Sequence, residues 1–206
     1  MSSTIFLLSP AMLGGIRARQ LTSPRAQFPA AMRYRSEEGV PIAEAFAFMS
    51  ALYFRGKIGY ARHFAAPPDT LPAAGVYVIA PGFGLVSPEW PLTQERLKAM
   101  KKVPVDETKR SYRKPLQREA EALAAQLEED TQVVLLGSIA TGKYVDVLRP
   151  IFGASLRFPA AFAGLGDMSR GGLMLRAVRE NRELAYTTLD APRHRQPGGS
   201  GKMPAL

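Results

Sequence analysis

The chain has 206 residues, 46% hydrophobic and 22% charged, which suits one α/β domain with a sizeable core and excludes a disordered or fibrous polymer. It has no cysteine and two histidines, His63 and His194, which excludes disulfides and thiolate metal sites and argues against a His-rich zinc centre. Lysine and arginine number 27 against 18 acids, a net charge of +9, so the partners to expect are anionic: nucleic acid, nucleotides or an anionic surface.

Ile5-Phe-Leu-Leu8 predicts a buried strand over residues 4–8. It is short, has no basic residue before it and meets Pro10, so it reads as a strand and not as a signal peptide. No apolar run approaches the ~20 residues of a membrane helix. These features point to a cytoplasmic protein with no membrane partner. Residues 14–25, rich in glycine and arginine, read as a loop, and residues 24–36 as a short helix. Pro41 suits the first turn of a long helix over residues 41–65, with Phe46, Met49, Leu52 and Tyr53 as its apolar stripe. Gly56 and Gly59 are expected to weaken or split it.

Residues 75–80 form a second predicted strand, ended by Pro81-Gly82-Phe83-Gly84. Thr93 is placed to cap a short helix reaching about Met100. Residues 101–114 read as a basic connection, and Pro115 as the opening of an amphipathic helix with Leu116, Ala120, Leu123 and Leu127 on one face. A third strand over residues 132–137, a helix over 142–152, a strand over 155–158, a helix over 171–181 and a last strand over 184–189 complete the pattern. Residues 190–206, dominated by Pro, Gly, Ser and Arg, read as a disordered basic tail after an α/β domain over residues 1–189. Strands that are continuous apolar runs alternating with helices predict a Rossmann-like domain with a mostly parallel sheet flanked by helices. Ligands in such folds bind beyond the strand carboxyl ends, where Ser9-Pro10, residues 81–84 and residues 137–143 should all lie.

Gly137-Ser-Ile-Ala-Thr-Gly142-Lys143 follows the third strand and opens a helix. The order strand, glycine turn, lysine, helix can wrap an anion with backbone N–H groups, making Gly137, Ser138, Thr141 and Gly142 candidate phosphate ligands and Lys143 a charge or leaving-group partner. Tyr144 stands where a true P-loop places a magnesium-binding hydroxyl, which argues against a nucleoside triphosphatase. Gly164-Leu-Gly166-Asp167-Met-Ser169-Arg170-Gly171-Gly172 reads as a second anion-binding corner. Ser169, Arg170 and Gly171 would grip charge, and Asp167 is the first candidate for a general base or charge stabiliser. Arg55, Lys57, Tyr60 and Arg62 interleave cations and an aromatic ring, a composition that suits nucleic-acid contact; the same pattern also fits cations snorkelling from a buried aromatic face.

The chain resembles the YaaA-like bacterial proteins and their small relatives. Ser50-Ala-Leu-Tyr-Phe-Arg55 to Tyr60-Ala61, the run Val76 to Pro88 with its Gly84-Leu85-Val-Ser-Pro88 turn, and the lysine turn at 133–144 followed by the glycine corner at 164–172 carry the likeness. Where those relatives often have a Lys-His pair before the Gly-Leu turn, this chain has Gly82-Phe83. The resemblance implies a Rossmann-like fold and a connection to nucleic acid or nucleotides. Charge and loop chemistry together lead to an expected hydrolase acting on a nucleic acid or nucleotide at a glycosidic or phosphoester bond. The alternatives are a non-enzymatic nucleic-acid-binding module and a P-loop-like nucleotide-binding protein. No metal or cofactor is called for, and no oligomeric state follows from the pattern.

Overall fold

The computed structural model describes residues 3–71 and 74–188. In chain order the elements are β1 (Thr4–Leu8), α1 (Ile16–Thr22), α2 (Pro29–Arg35), β2 (Val40–Pro41), α3 (Ile42–Phe64), β3 (Val76–Ala80), β4 (Gly84–Val86) and β5 (Pro91–Leu92). They continue with α4 (Gln94–Lys101), α5 (Arg110–Ala124), β6 (Gln132–Leu136), α6 (Gly142–Phe152), β7 (Leu156–Pro159), α7 (Asp167–Arg179) and β8 (Tyr186–Thr188). Six strands form one sheet in the order β4-β3-β1-β6-β7-β8. β3, β1, β6 and β7 run parallel, and β4 and β8 close the two edges antiparallel. β2 and β5 make a separate two-stranded pair. This is the expected α/β architecture with a mostly parallel sheet. Among the described residues, no helix is long and apolar enough to cross a membrane.

β1 is the central strand, and its apolar run is continuous because both of its faces are covered. Phe6 and Leu8 join Val76, Val78, Val134 and Leu136 on the face that packs against α3 and α7. Ile5 and Leu7 join Ile79, Val133 and Leu135 on the other face, against α5 and α6. Phe6 stands in register with Val76 on one side and Val134 on the other, so the period-2 alternation of β1 is shared across three strands.

Several boundaries differ from the expected ones. Residues 16–22 form α1 instead of a loop; Ala18 and Leu21 turn inward and anchor it. α3 is not broken at Gly56 or Gly59 but at Ala51, whose φ of 44° and ψ of −120° interrupt the helical backbone. α5 begins at Arg110, so Pro115 lies inside the helix instead of opening it. Gly82 and Gly84, at φ of +83° and +87°, turn the chain back into β4, a strand absent from the predicted pattern. α7 begins at Asp167, four residues before the expected start at Gly171, so Gly171 and Gly172 lie inside the helix instead of at its opening. Thr93 caps α4 as expected, its hydroxyl accepting from the Arg96 N–H at 3.4 Å. The predicted tail lies outside the described residues.

From β1 the chain crosses to β3 on one side of the sheet and later returns, through α5, to β6 on the other side. The boundary between β1 and β6 is therefore the switch point of the sheet, the place beyond whose strand carboxyl ends ligands bind in folds of this kind.

Candidate functional site

Ser9 leaves β1 and Gly137 leaves β6, side by side at that switch point. The Ser9 N–H donates to the Leu136 carbonyl at 3.2 Å. A Cβ on Gly137 would stand 2.9 Å from the Ser9 Cβ and 3.2 Å from its Oγ, so glycine is what lets the two strand ends meet.

Lys57, on α3, enters this junction from the sheet face. It is only 1% exposed. Its Nζ donates to both the Ser9 carbonyl and the Ser9 Oγ at 2.8 Å, and the Ser9 hydroxyl in turn donates to the Leu136 carbonyl at 3.3 Å. The same nitrogen sits 4.2 Å from the centre of the Tyr53 ring and 5.1 Å from that of Phe54. Burial pulls the Lys57 ammonium down to about 7; the Asp167 carboxylate opposes this and the Arg170 guanidinium adds to it. Burial thus lets Lys57 give up its proton more readily than an exposed lysine does, leaving a neutral amine that keeps its donation to Ser9.

Two tyrosines close the junction. Tyr144, in the first turn of α6, is buried with its hydroxyl facing Ser9. Burial pushes it up to about 12, against the lowering pull of Ser9, while Tyr53 and Asp167 push it higher. The Tyr53 hydroxyl is buried close to Arg170 without completing a hydrogen bond, and burial raises its pKa. It is the one unpaired polar group aimed at the site from α3.

α7 brings up the charged rim. Arg170 is largely buried, its side chain 12% exposed; Nε and Nη2 donate to the Phe162 carbonyl at 3.3 and 3.2 Å, and Nη1 lies 3.8 Å from Asp167 Oδ1. The Asp167 side chain, at 68% exposure, faces solvent while its charge still reaches Lys57 and Tyr144. The site thus runs from a dry Lys57–Ser9 pair to a wet carboxylate.

The sequence-predicted residues divide. Asp167, Arg170 and Gly171 belong to this cluster, and Gly137 forms its floor; Ser169 is exposed on the first turn of α7. Lys143 is exposed, and its charge acts on Asp106 in the connection between α4 and α5. Ser138 accepts from the Ala140 N–H at 3.3 Å, and Thr141 precedes α6 without a side-chain cap. Asp146 folds back so that its Oδ2 lies 2.2 Å from where a Gly142 Cβ would be, setting a negative charge against the glycine turn.

Arg55, Lys57, Tyr60 and Arg62 do not form one surface, which corrects the expected nucleic-acid strip. Arg55 points to solvent and Arg62 pairs with Glu89, whereas Lys57 and Tyr60 continue the buried stripe of α3. Tyr60 stacks edge-on against Phe6 and holds the chain entering β8 through hydrogen bonds with Tyr186 and Leu184. Ser9 and Tyr144 are the site residues that motif reading passed over. The signal for Lys57 was helical spacing: it follows Tyr53 by one turn on the stripe of Phe46 and Met49.

Compared with known proteins, the chain matches no family model, no curated protein and no solved structure.

Proposed function

We propose that the protein is a hydrolase directed at a nucleotide or nucleic acid, acting at a phosphoester or glycosidic bond at the carboxyl ends of β1 and β6. One observation carries this reading: a lysine buried to 1% exposure and held at 2.8 Å from a serine hydroxyl at the switch point of the sheet. A buried cation with no carboxylate hydrogen-bonded to it is costly, and such cost is tolerated where a perturbed amine has work to do. Lys57 takes the proton of the attacking water, directly or through Ser9, and returns it to the leaving group, the alkoxide oxygen of a phosphoester or the base nitrogen of an N-glycoside. Asp167 at the rim orients that water. The net charge of +9 draws the anionic substrate in.

The test is turnover of a panel of nucleotides and oligonucleotides by wild type, Lys57→Met and Lys57→Arg. Both variants should lose activity by about a hundredfold or more, because neither side chain can accept a proton near neutral pH. The wild-type kcat/KM should rise with an inflection near the lysine's lowered pKa. Full activity in Lys57→Met, or no turnover by the folded wild-type protein on any member of the panel, would refute the reading.

A further inference from the structure

A groove of about 460 Å³ opens on the same strand-carboxyl edge, between the segment that follows β1 and the end of α4. Its volume falls within the ~300–1,000 Å³ of typical small-ligand sites. Ala11 lines it, and Ser9 stands two residues earlier, at most about 7 Å of chain away. The groove and the Lys57–Ser9 pair thus share the segment that leaves β1, though neither Ser9 nor Lys57 lines the groove.

Its chemistry is divided. Pro81, Val103 and Val105 supply an apolar wall, and Arg19 and Lys101 supply two cations. Among the described residues, no acidic side chain and no Asn, Gln, Ser or Thr lines it. The wall is fixed: a Cβ on Gly82 would stand 3.0 Å from Val103 Cγ2, so the turn after β3 seats directly on that valine. Met12 is 74% exposed, yet its backbone N–H donates to Ser50 Oγ at 3.1 Å. Its loop is thus anchored while its thioether is free to fold down on a flat apolar surface.

An apolar slot with two cations and no opposing charge recognises a molecule that is flat and apolar at one end and anionic at the other. We propose that this groove seats a mononucleotide unit, its base against Val103, Val105 and Met12 and its phosphate between Arg19 and Lys101. This rests on the hydrolase reading above and names the part of the substrate that the protein grips. With no polar side chain to read a base edge, the seat accepts purines and pyrimidines alike.

The test is calorimetric titration of the full chain with AMP, CMP, adenosine and inorganic phosphate, at about 50 mM salt where screening is weak. AMP should bind about tenfold or more tighter than adenosine or phosphate, with CMP within a few-fold of AMP. The double variant Arg19→Glu/Lys101→Glu should lose about tenfold or more in AMP affinity, and Met12→Asp several-fold; both change exposed side chains and should fold. Unchanged AMP affinity in the double variant, or phosphate binding as tightly as AMP, would overturn the seat even if the enzyme turns over. Conversely, AMP binding that depends on Arg19 and Lys101 in a protein with no turnover would uphold the seat and sink only the hydrolase reading.

Discussion

Gly56 of α3 and Gly171 of α7 touch backbone to backbone. A methyl on Gly56 would stand 2.7 Å from the Gly171 carbonyl oxygen, and one on Gly171 would stand 2.8 Å from that of Leu52. Neither obstacle is a flexible side chain, so the helices can approach this closely only through glycine. The contact lies one residue from Lys57 and one from Arg170, and it is what brings the α7 rim onto the buried pair.

Gly171→Ala should therefore destabilise the protein by about 1–3 kcal/mol through overpacking. Gly172, its neighbour in the same helix, has open space where a Cβ would go. Gly172→Ala should stabilise by up to about 1 kcal/mol through helix propensity. Urea denaturation of the two variants checks the opposite signs.

Lys57 gives stability a pH dependence of defined sign. Burial lowers its folded pKa to about 7 from 10.5, so between those values the unfolded chain binds more protons than the folded one. Stability contributed by this residue must then rise with pH across that window, by at most about 1.4 kcal/mol per unit. Below the window both states are protonated and the full cost of burying the charge is felt. Wild type minus Lys57→Met, measured by denaturant titration from about pH 7 to 9 before tyrosines ionise, should show this positive slope; a flat or falling difference would show that the ammonium is not destabilised by burial.

Ala51 sits in backbone territory that suits glycine, at φ of 44° and ψ of −120°. Ala51→Gly should raise stability by about 1 kcal/mol, after counting the extra freedom glycine has when unfolded. A rise in Tm of a few degrees in a thermal melt is the expected result. A fall would mean that the methyl group earns more from packing than the bend costs.

Tyr60→Phe keeps the ring that meets Phe6 at 5.7 Å between centroids. It removes the oxygen that accepts from the Leu184 N–H and pairs with the Tyr186 hydroxyl, both at 2.8 Å. The loss should be about 1–3 kcal/mol. Hydrogen exchange should accelerate first at residues 184–188, before the central strands respond.

The parallel core was legible in the sequence because β1, β3 and β6 are uninterrupted apolar runs, a pattern that burial on both faces demands. α1 was not legible: Gly14 and Gly15 precede it and Arg17 and Arg19 face solvent, leaving only Ala18 and Leu21 as inward signals. α7 was read four residues late because Gly171 looks like loop chemistry, whereas its role is close approach to a helix distant in sequence. The site was half legible. Asp167 and Arg170 stand out as a charged, glycine-flanked motif. Lys57 does not, because a lysine is expected at the surface and only its place on the stripe of Tyr53 marks it as interior. Ser9 carries no motif at all; its importance comes from the pairing of β1 with β6, which is a long-range fact.

One flank of the sheet ends in a reversed strand of three residues, β4. On the β4 side α5 lies so close that a Cβ on Gly84 would meet the Pro115 carbonyl oxygen at 2.5 Å. Exposed, unpaired strand borders invite other chains to add on and seed aggregates, and long flat ones do so most readily. Here the β4 border is cut short and shielded by a helix. The apolar run of β1, two strands inward, is therefore kept from a partner strand on that side by a stub and a helix together.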